Sequence, residues 1–353
     1  MGSNPTSSST ASGGESPIWF RDLISRGREA ERAGEGTRAL QAYEEALERL
    51  EGRDGNPNAA DVLRWIGTVQ RERGDTAAAE RAYRESLGIA ERARHAGGIA
   101  HAVNCLAILS MRRGDLTEAE VAFKRAARLA AAVPDDILGG MVEQNLGILA
   151  NIRGDLDGAS VRYRAALERF RAGGDAARQA IVLNNLGMLH TDLREWDSAE
   201  ANFTEAASIA GMLGDRWLEN AIEVNRAELE ASRADWTAAG RTARQAREMA
   251  KQHDDRIREA EALKWIARVE LETGSTDAAQ LDLEEADRLI SGSEDRLLEA
   301  ELAREFGRLL RRTGREEEAR SAFERARTHF RAIGAVIDAR EIEELVVPPP
   351  ATS

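Results

Sequence analysis

From Gln144 to Leu167 the chain reads QNLGILANIRGDLDGASVRYRAAL, with apolar residues recurring every three or four positions on both sides of Arg-Gly-Asp. That spacing belongs to two amphipathic helices joined by a tight turn. From Asn184 to Ala207 a near-copy follows, NNLGMLHTDLREWDSAEANFTEAA, forty residues further on. Self-similarity at a fixed period predicts a stack of like units and not separate globules.

The turn position recurs as Gly34, Gly74, Gly114, Gly154, Arg194, Ala234, Gly274 and Gly314, a period of forty held through eight copies. Five residues on, every copy has Ala (Ala39 through Ala319), and four further come Tyr43, Tyr83, Phe123, Tyr163, Phe203, Ala243, Leu283 and Phe323. Seven before each turn stand Gly27, Gly67, Ala107, Gly147, Gly187, Ala227, Ala267 and Gly307. Small residues let two helix backbones approach, and an aromatic ring fills the space beside the contact. Each copy therefore reads as an antiparallel helix pair, with Gly ending the first helix and Asp75, Asp115 and Asp155 capping the second. Where Arg194 and Ala234 replace Gly, a strained or different turn is expected.

Leu-Gly or its equivalents in the first helix, Gly at the turn, then Ala, aromatic and Ala in the second resemble the tetratricopeptide repeat. The resemblance covers roughly residues 18–335. It implies an all-α, right-handed superhelical solenoid of antiparallel helix pairs. The period exceeds the family's usual 34 residues, and the extra six are read as following the second helix, as in the longer-helix repeats of kinesin light chains and bacterial regulators. Residues 1–17 are expected to be a disordered tail, 18–335 the eight repeats, 336–346 a capping helix, and 347–353 a second disordered tail. Repeat six departs from the pattern, with Arg226 at an aliphatic position and Ala243 in place of the aromatic, which predicts a softer joint near 220–250.

Composition narrows the function. Apolar residues make up 42% but aromatics only 5%, which favours closely packed helices. A net charge of −13, with both signs interleaved, argues against binding nucleic-acid backbones. No apolar run reaches the ~18 residues needed to cross a bilayer, and MGSNPTSSSTASGGESP lacks the order of a secretory signal. Gly2 and Thr6 match the N-myristoylation pattern by letter, within a tail of disordered composition. One cysteine, Cys105, fits a reducing compartment, so a cytoplasmic chain without a membrane anchor is expected.

Catalytic patterns are missing. No lysine follows a glycine, so a phosphate-binding P-loop is excluded. The Gly-x-Gly of GEGTRA falls on the repeat's turn with no strand before it. Five scattered histidines offer no metal spacing. The expectation is a non-enzymatic chain with no cofactor and no metal.

What remains is the first-helix face. In tetratricopeptide repeats this face lines the concave side, and the residue before Leu-Gly often holds an Asn that binds a peptide backbone. The resemblance therefore implies an amide rail of Asn104, Gln144, Asn145, Asn184, Asn185 and Asn225, with His101, Met141, Ile148 and Met188 as an adaptable floor. The same amides could instead link neighbouring repeats. Lys264, Arg268, Arg304, Arg308, Arg311 and Arg312 make the later first helices basic, suited to an acidic segment or salted by nearby Glu. The lysine and arginine clamp for a chaperone's C-terminal carboxylate is absent, with Arg64, Thr68, Cys105 and Met141 at its places. The leading expectation is a protein-interaction scaffold for a partner peptide or helix. The rivals are a sensor module that switches a signalling partner, and a protein that self-assembles through an end repeat into a homo-oligomer.

Overall fold

The computed structural model describes residues 16–293 and 295–346; the Gly2 motif and all but the last two residues of the expected N-terminal tail lie outside them, as does the tail at 347–353. Among the described residues there are seventeen helices and no strand. The chain divides into two compact units, the first holding the described residues up to Leu149 with Glu168–Asp175, the second holding Ala150–Leu167 and those from Ala176 on. In the first lie α1 (Ile18–Arg32), α2 (Gly36–Arg49), α3 (Pro57–Glu72), α4 (Thr76–Arg92), α5 (Ala96–Arg112), α6 (Leu116–Ala130) and most of α7 (Asp136–Ile152). In the second lie most of α8 (Leu156–Ala172), then α9 (Ala176–Asp192), α10 (Trp196–Leu213), α11 (Arg216–Ser232), α12 (Trp236–Gln252), α13 (Arg256–Thr273), α14 (Thr276–Ile290), α15 (Arg296–Arg312), α16 (Glu316–Ala332) and α17 (Val336–Val346).

The small and aromatic positions meet as pairs inside each repeat. A Cβ added to Gly27, Gly67, Gly187 or Gly307 would fall 2.2, 2.7, 2.4 or 2.6 Å from the ring of Tyr43, Tyr83, Phe203 or Phe323 respectively. Those four rings are fully buried, as is the Ala four residues before each of them. Glycine is thus required because the ring lies against the bare helix backbone, and each buried ring contributes about 1.5–3 kcal/mol. Successive first helices then touch one another, α3 with α5 in the first unit and α9, α11, α13 and α15 in sequence in the second.

Every turn within a repeat closes in one way. The amides of Asp75, Asp115, Asp155, Glu195, Asp235, Ser275 and Arg315 each donate to the carbonyl five residues back, at 2.8–2.9 Å. This satisfies carbonyls that the helix end leaves open, and it needs a left-handed residue just before the donor. Arg194 and Ala234 adopt it at φ +58° and +59°, so where glycine is missing the turn keeps its type and carries the strain. Asp75 and Asp155 cap as expected, accepting from Ala78 and Gly158 at 2.9 Å. Asp115 makes no cap bond and pairs with Arg113 at 3.4 Å instead.

The six extra residues are not an appended loop. Five of the eight turns between repeats use the same closure, with His95, Asp175, Asp215, Asp255 and Ala335 donating five residues back. Left-handed Arg94, Gly174, Gly214, Asp254 and Gly334 precede those donors, so the extra length goes into helices of mostly 15–18 residues. Asp135, Asp215, Asp255 and Asp295 cap the first helices that follow, a signal the reading of the turns within repeats passes over.

At repeat six the space left by the missing aromatic is filled. Ala243 is fully buried with Ala227 and Ile266, and the half-buried indole of Trp265 from α13 packs against them. Arg226 is half-buried and donates to Glu200 at 2.5 Å and to Glu223 at 3.3 Å.

Candidate functional site

The expected site residues sit on the first helices at helical spacing: His101 and Asn104 on α5, Met141, Gln144, Asn145 and Ile148 on α7, Asn184, Asn185 and Met188 on α9, and Asn225 on α11. Residues three, four and seven apart share one face of a helix. The structure sorts these residues into two kinds.

Asn104 is fully buried and Asn184 is 8% exposed, so neither side chain is presented to a partner. Asn104 Oδ1 accepts from Asn145 Nδ2 at 3.0 Å, and Asn184 Oδ1 accepts from Asn225 Nδ2 at 3.0 Å. Both bonds join a residue to the one forty-one positions on, which places the same amide rung between adjacent first helices in each unit. A buried amide demands such a partner. These two members of the rail therefore link helices, the second of the two roles the sequence leaves open for the amides. Arg64 and Cys105 share this register, and burial pushes the Cys105 thiol up while the Arg64 charge draws it back.

Gln144, Asn145, Asn185 and Asn225 are half-buried. Within their own units, no side-chain hydrogen bond engages Gln144 or Asn185, and Asn145 and Asn225 each spend one hydrogen on a rung. Beside them Met141 and Ile148 are half-buried, while Ile181 and Met188 are 37% and 38% exposed. His101, half-buried, lies 3.9 Å from Asp135. Each unit thus offers amides with spare donors and acceptors next to flexible apolar side chains, a surface suited to a peptide main chain.

The basic stretch of the later first helices is neutralised from within. Lys264 Nζ, in a residue 4% exposed, donates to Glu301 at 2.6 Å, and Arg268 meets Glu305 at 3.5 Å. Arg304 donates to Glu341 at 2.7 Å and to Asp338 at 3.0 Å, and Arg308 donates to Glu305 at 2.8 Å. Lys264 to Glu301, Arg268 to Glu305 and Arg304 to Glu341 all span thirty-seven residues, a repeated separation that becomes a signal only once the register of one first helix on the next is known. Burial would raise the Glu305 carboxyl, yet Arg308, Arg268, Arg304 and Lys264 around it hold it below the usual carboxylate range. Glu228 is pushed up to about 7 by burial, a shift that Lys264 only partly offsets. Among the described residues no group of three His, Cys, Asp or Glu side chains is placed to hold a metal, and no helix is long and apolar enough to cross a membrane.

Known proteins of like architecture place the chain. Residues 142–212 match the family model of the tetratricopeptide repeat. No curated protein matches the chain. Among solved structures it is similar to a Rap protein complexed with competence and sporulation factor (TM-score 0.61, 12% identity, covering 93% of this chain and 96% of that one). Aspartyl phosphate phosphatase F from Bacillus subtilis is also similar (TM-score 0.56, 13% identity, 97% and 100% covered). A signal transduction ATPase with numerous domains from Pyrococcus horikoshii, which carries a tetratricopeptide repeat sensor, matches at TM-score 0.60 and 16% identity over 94% of this chain and 53% of its own length. Residues 142–212 are thus matched as tetratricopeptide repeats, and the likenesses, which are of fold, together with the forty-residue helix pairs and their glycine-to-ring contacts, extend the same repeat architecture to the other described helices.

Proposed function

We propose that the protein is a non-enzymatic scaffold that holds a peptide or helix of a partner protein against the first-helix face of its central repeats. One observation carries this reading: Gln144 and Asn185 keep uncommitted amides at half-buried positions, beside Met141 and Ile148 on α7 and beside the exposed Ile181 and Met188 on α9. An amide that both donates and accepts suits a partner's main chain, each bond contributing about 0.5–1.5 kcal/mol. Met and Ile accommodate varied side chains between those bonds. The similar Rap protein, complexed with competence and sporulation factor, supports partner binding on this kind of array.

The test is capture of partners by the tagged chain and by Gln144→Ala/Asn185→Ala. Because neither amide supports a rung, the variant should melt with the wild type and lose the partner. A variant that melts alike and keeps every partner would move the search away from this face.

A further inference from the structure

The strongest feature outside that face is the seat of α17. It starts forty residues after α15, at Val336 against Arg296, so in register it is one more first helix, resting on α15 and α16. Its hold differs from that of the helices before it. Where α15 buries Leu298, Ala300, Leu302 and Leu309, α17 buries only Ala339 and Ile342, packed with Phe323 and Phe330 of α16. Half-buried Leu345 and Val346 pack at its C-terminal end, and ion pairs supply much of the remaining hold: Asp338 and Glu341 accept from Arg304 at 3.0 and 2.7 Å, Glu341 accepts from Arg308 as well, and Glu343 accepts from Arg331.

Arg304 is 8% exposed, so with α17 lifted away a guanidinium set for burial would lose two carboxylates, and the Phe330 region would open to water. Arg304 would then keep only Glu305 of its own helix, at 3.5 Å; an under-compensated charge at a largely buried site is costly, and the surface therefore favours an occupant of matching chemistry. That chemistry is brief: Asp338-Ala339-Arg340-Glu341-Ile342, carboxylates three residues apart, each followed by a residue that enters the apolar floor. Any amphipathic helix with that pattern satisfies the same groups. Two lengths of α17 itself do not complement each other, since Arg340 and Glu344 are exposed and charged.

We propose that the α15 surface carrying Arg304 and Arg308, floored by Phe330, is a docking site for an acidic amphipathic helix of a partner protein, and that α17 is its resident stand-in. The site uses none of the residues invoked for the amide positions, and its test does not depend on that reading. Binding at this site is exchange: the incoming helix takes over both arginines as α17 leaves, so Arg304 is never left with Glu305 alone. Gly334, left-handed at φ +77°, is the joint on which α17 would swing.

The test uses the full chain, its Asp338→Ala/Glu341→Ala variant, and a fluorescein-labelled peptide of residues 335–346 read by anisotropy. Weakening the resident should let the peptide bind the variant at least about tenfold more tightly than the wild type. A peptide carrying Lys at both acidic positions should not bind, and adding Arg308→Glu to the variant should cost at least about tenfold. Hydrogen exchange over 336–346 should quicken in the variant while α15 stays protected. Should the variant not fold, Asp338→Asn/Glu341→Gln takes its place. Equal binding to variant and wild type, or equal binding of the Lys peptide, would overturn the proposal. A wild-type dimer in light scattering that Arg308→Glu disperses would overturn the partner in favour of a second copy.

Discussion

Asn225 donates its side-chain amide to Asn184 across the contact of α11 with α9, forty-one residues apart, and Asn145 does the same to Asn104 on α7 and α5. The residue next to the buried acceptor, Asn185, is half-buried and takes part in no rung of its unit. Adjacent asparagines therefore have different tasks, and they separate by mutation. Asn184→Ala should lower stability by about 1–2 kcal/mol, whereas Asn185→Ala should stay within about 0.5 kcal/mol of wild type. Urea unfolding of the two variants side by side checks this, and equal losses would put Asn185 in the framework too.

Gly187 has no room for a methyl group, because its Cβ would lie 2.4 Å from the Phe203 ring. Gly187→Ala should cost about 1–3 kcal/mol through overpacking. In a Phe203→Leu background the same change should cost much less, since the two positions are coupled. Simple additivity in that double-mutant cycle would show that the ring is not what excludes the side chain.

Arg194 and Ala234 hold left-handed turns at φ +58° and +59° without being glycine. Replacing each with Gly relieves about 1–2 kcal/mol of backbone strain and loses up to about 1 kcal/mol to the entropy of the unfolded chain. Each change should therefore stabilise the protein by a few tenths to about 1 kcal/mol, and the two should add. Thermal unfolding of both single variants and the double variant checks it; a lower midpoint in either would mean that the replaced side chain does more than strain the turn.

Glu270 on α13 is pushed up to about 7 by burial and by the neighbouring carboxyl of Asp282 on α14, with Arg244 and Arg247 drawing it back. Its charged form is disfavoured in the folded state, so the native chain holds a proton there that the unfolded chain releases near its ordinary value of 4.5. Stability contributed by this site is present below about pH 4.5 and is lost as pH rises through about 7. Glu270→Gln should accordingly stabilise the protein by about 1–2 kcal/mol at pH 8 and by little at pH 5. A benefit independent of pH would show that the pair does not titrate in this range.

The fold was legible because its code is local. The glycine, its ring and the turn that joins them lie within one repeat, so Gly187, Phe203 and Arg194 announce one another at fixed offsets. The polar ladders were harder to see because they depend on how one repeat registers against the next. The basic run at Lys264, Arg268 and Arg304 was in view, but its charge balance rests on Glu301, Glu305 and Glu341 thirty-seven positions on. For the amide face the residue types were visible and their division was not, since only packing tells Asn184 from Asn185. Repeat six looked empty for the same reason: the indole that fills it belongs to the following repeat.

That borrowed indole limits how the protein can be rebuilt. Helix pairs closed by matching turns invite treatment as cassettes, to be deleted, duplicated or shuffled at the left-handed residues. Most pairs carry their own ring and could be moved with it. The α11–α12 pair cannot, because its interior is completed by Trp265 from the pair that follows. In engineering terms residues 216–290 form the smallest portable block of that stretch, since α13 must bring its own partner α14 with it, and a cut at Asp254, although it falls on a regular turn, would leave one side with a hole and the other with a stranded tryptophan.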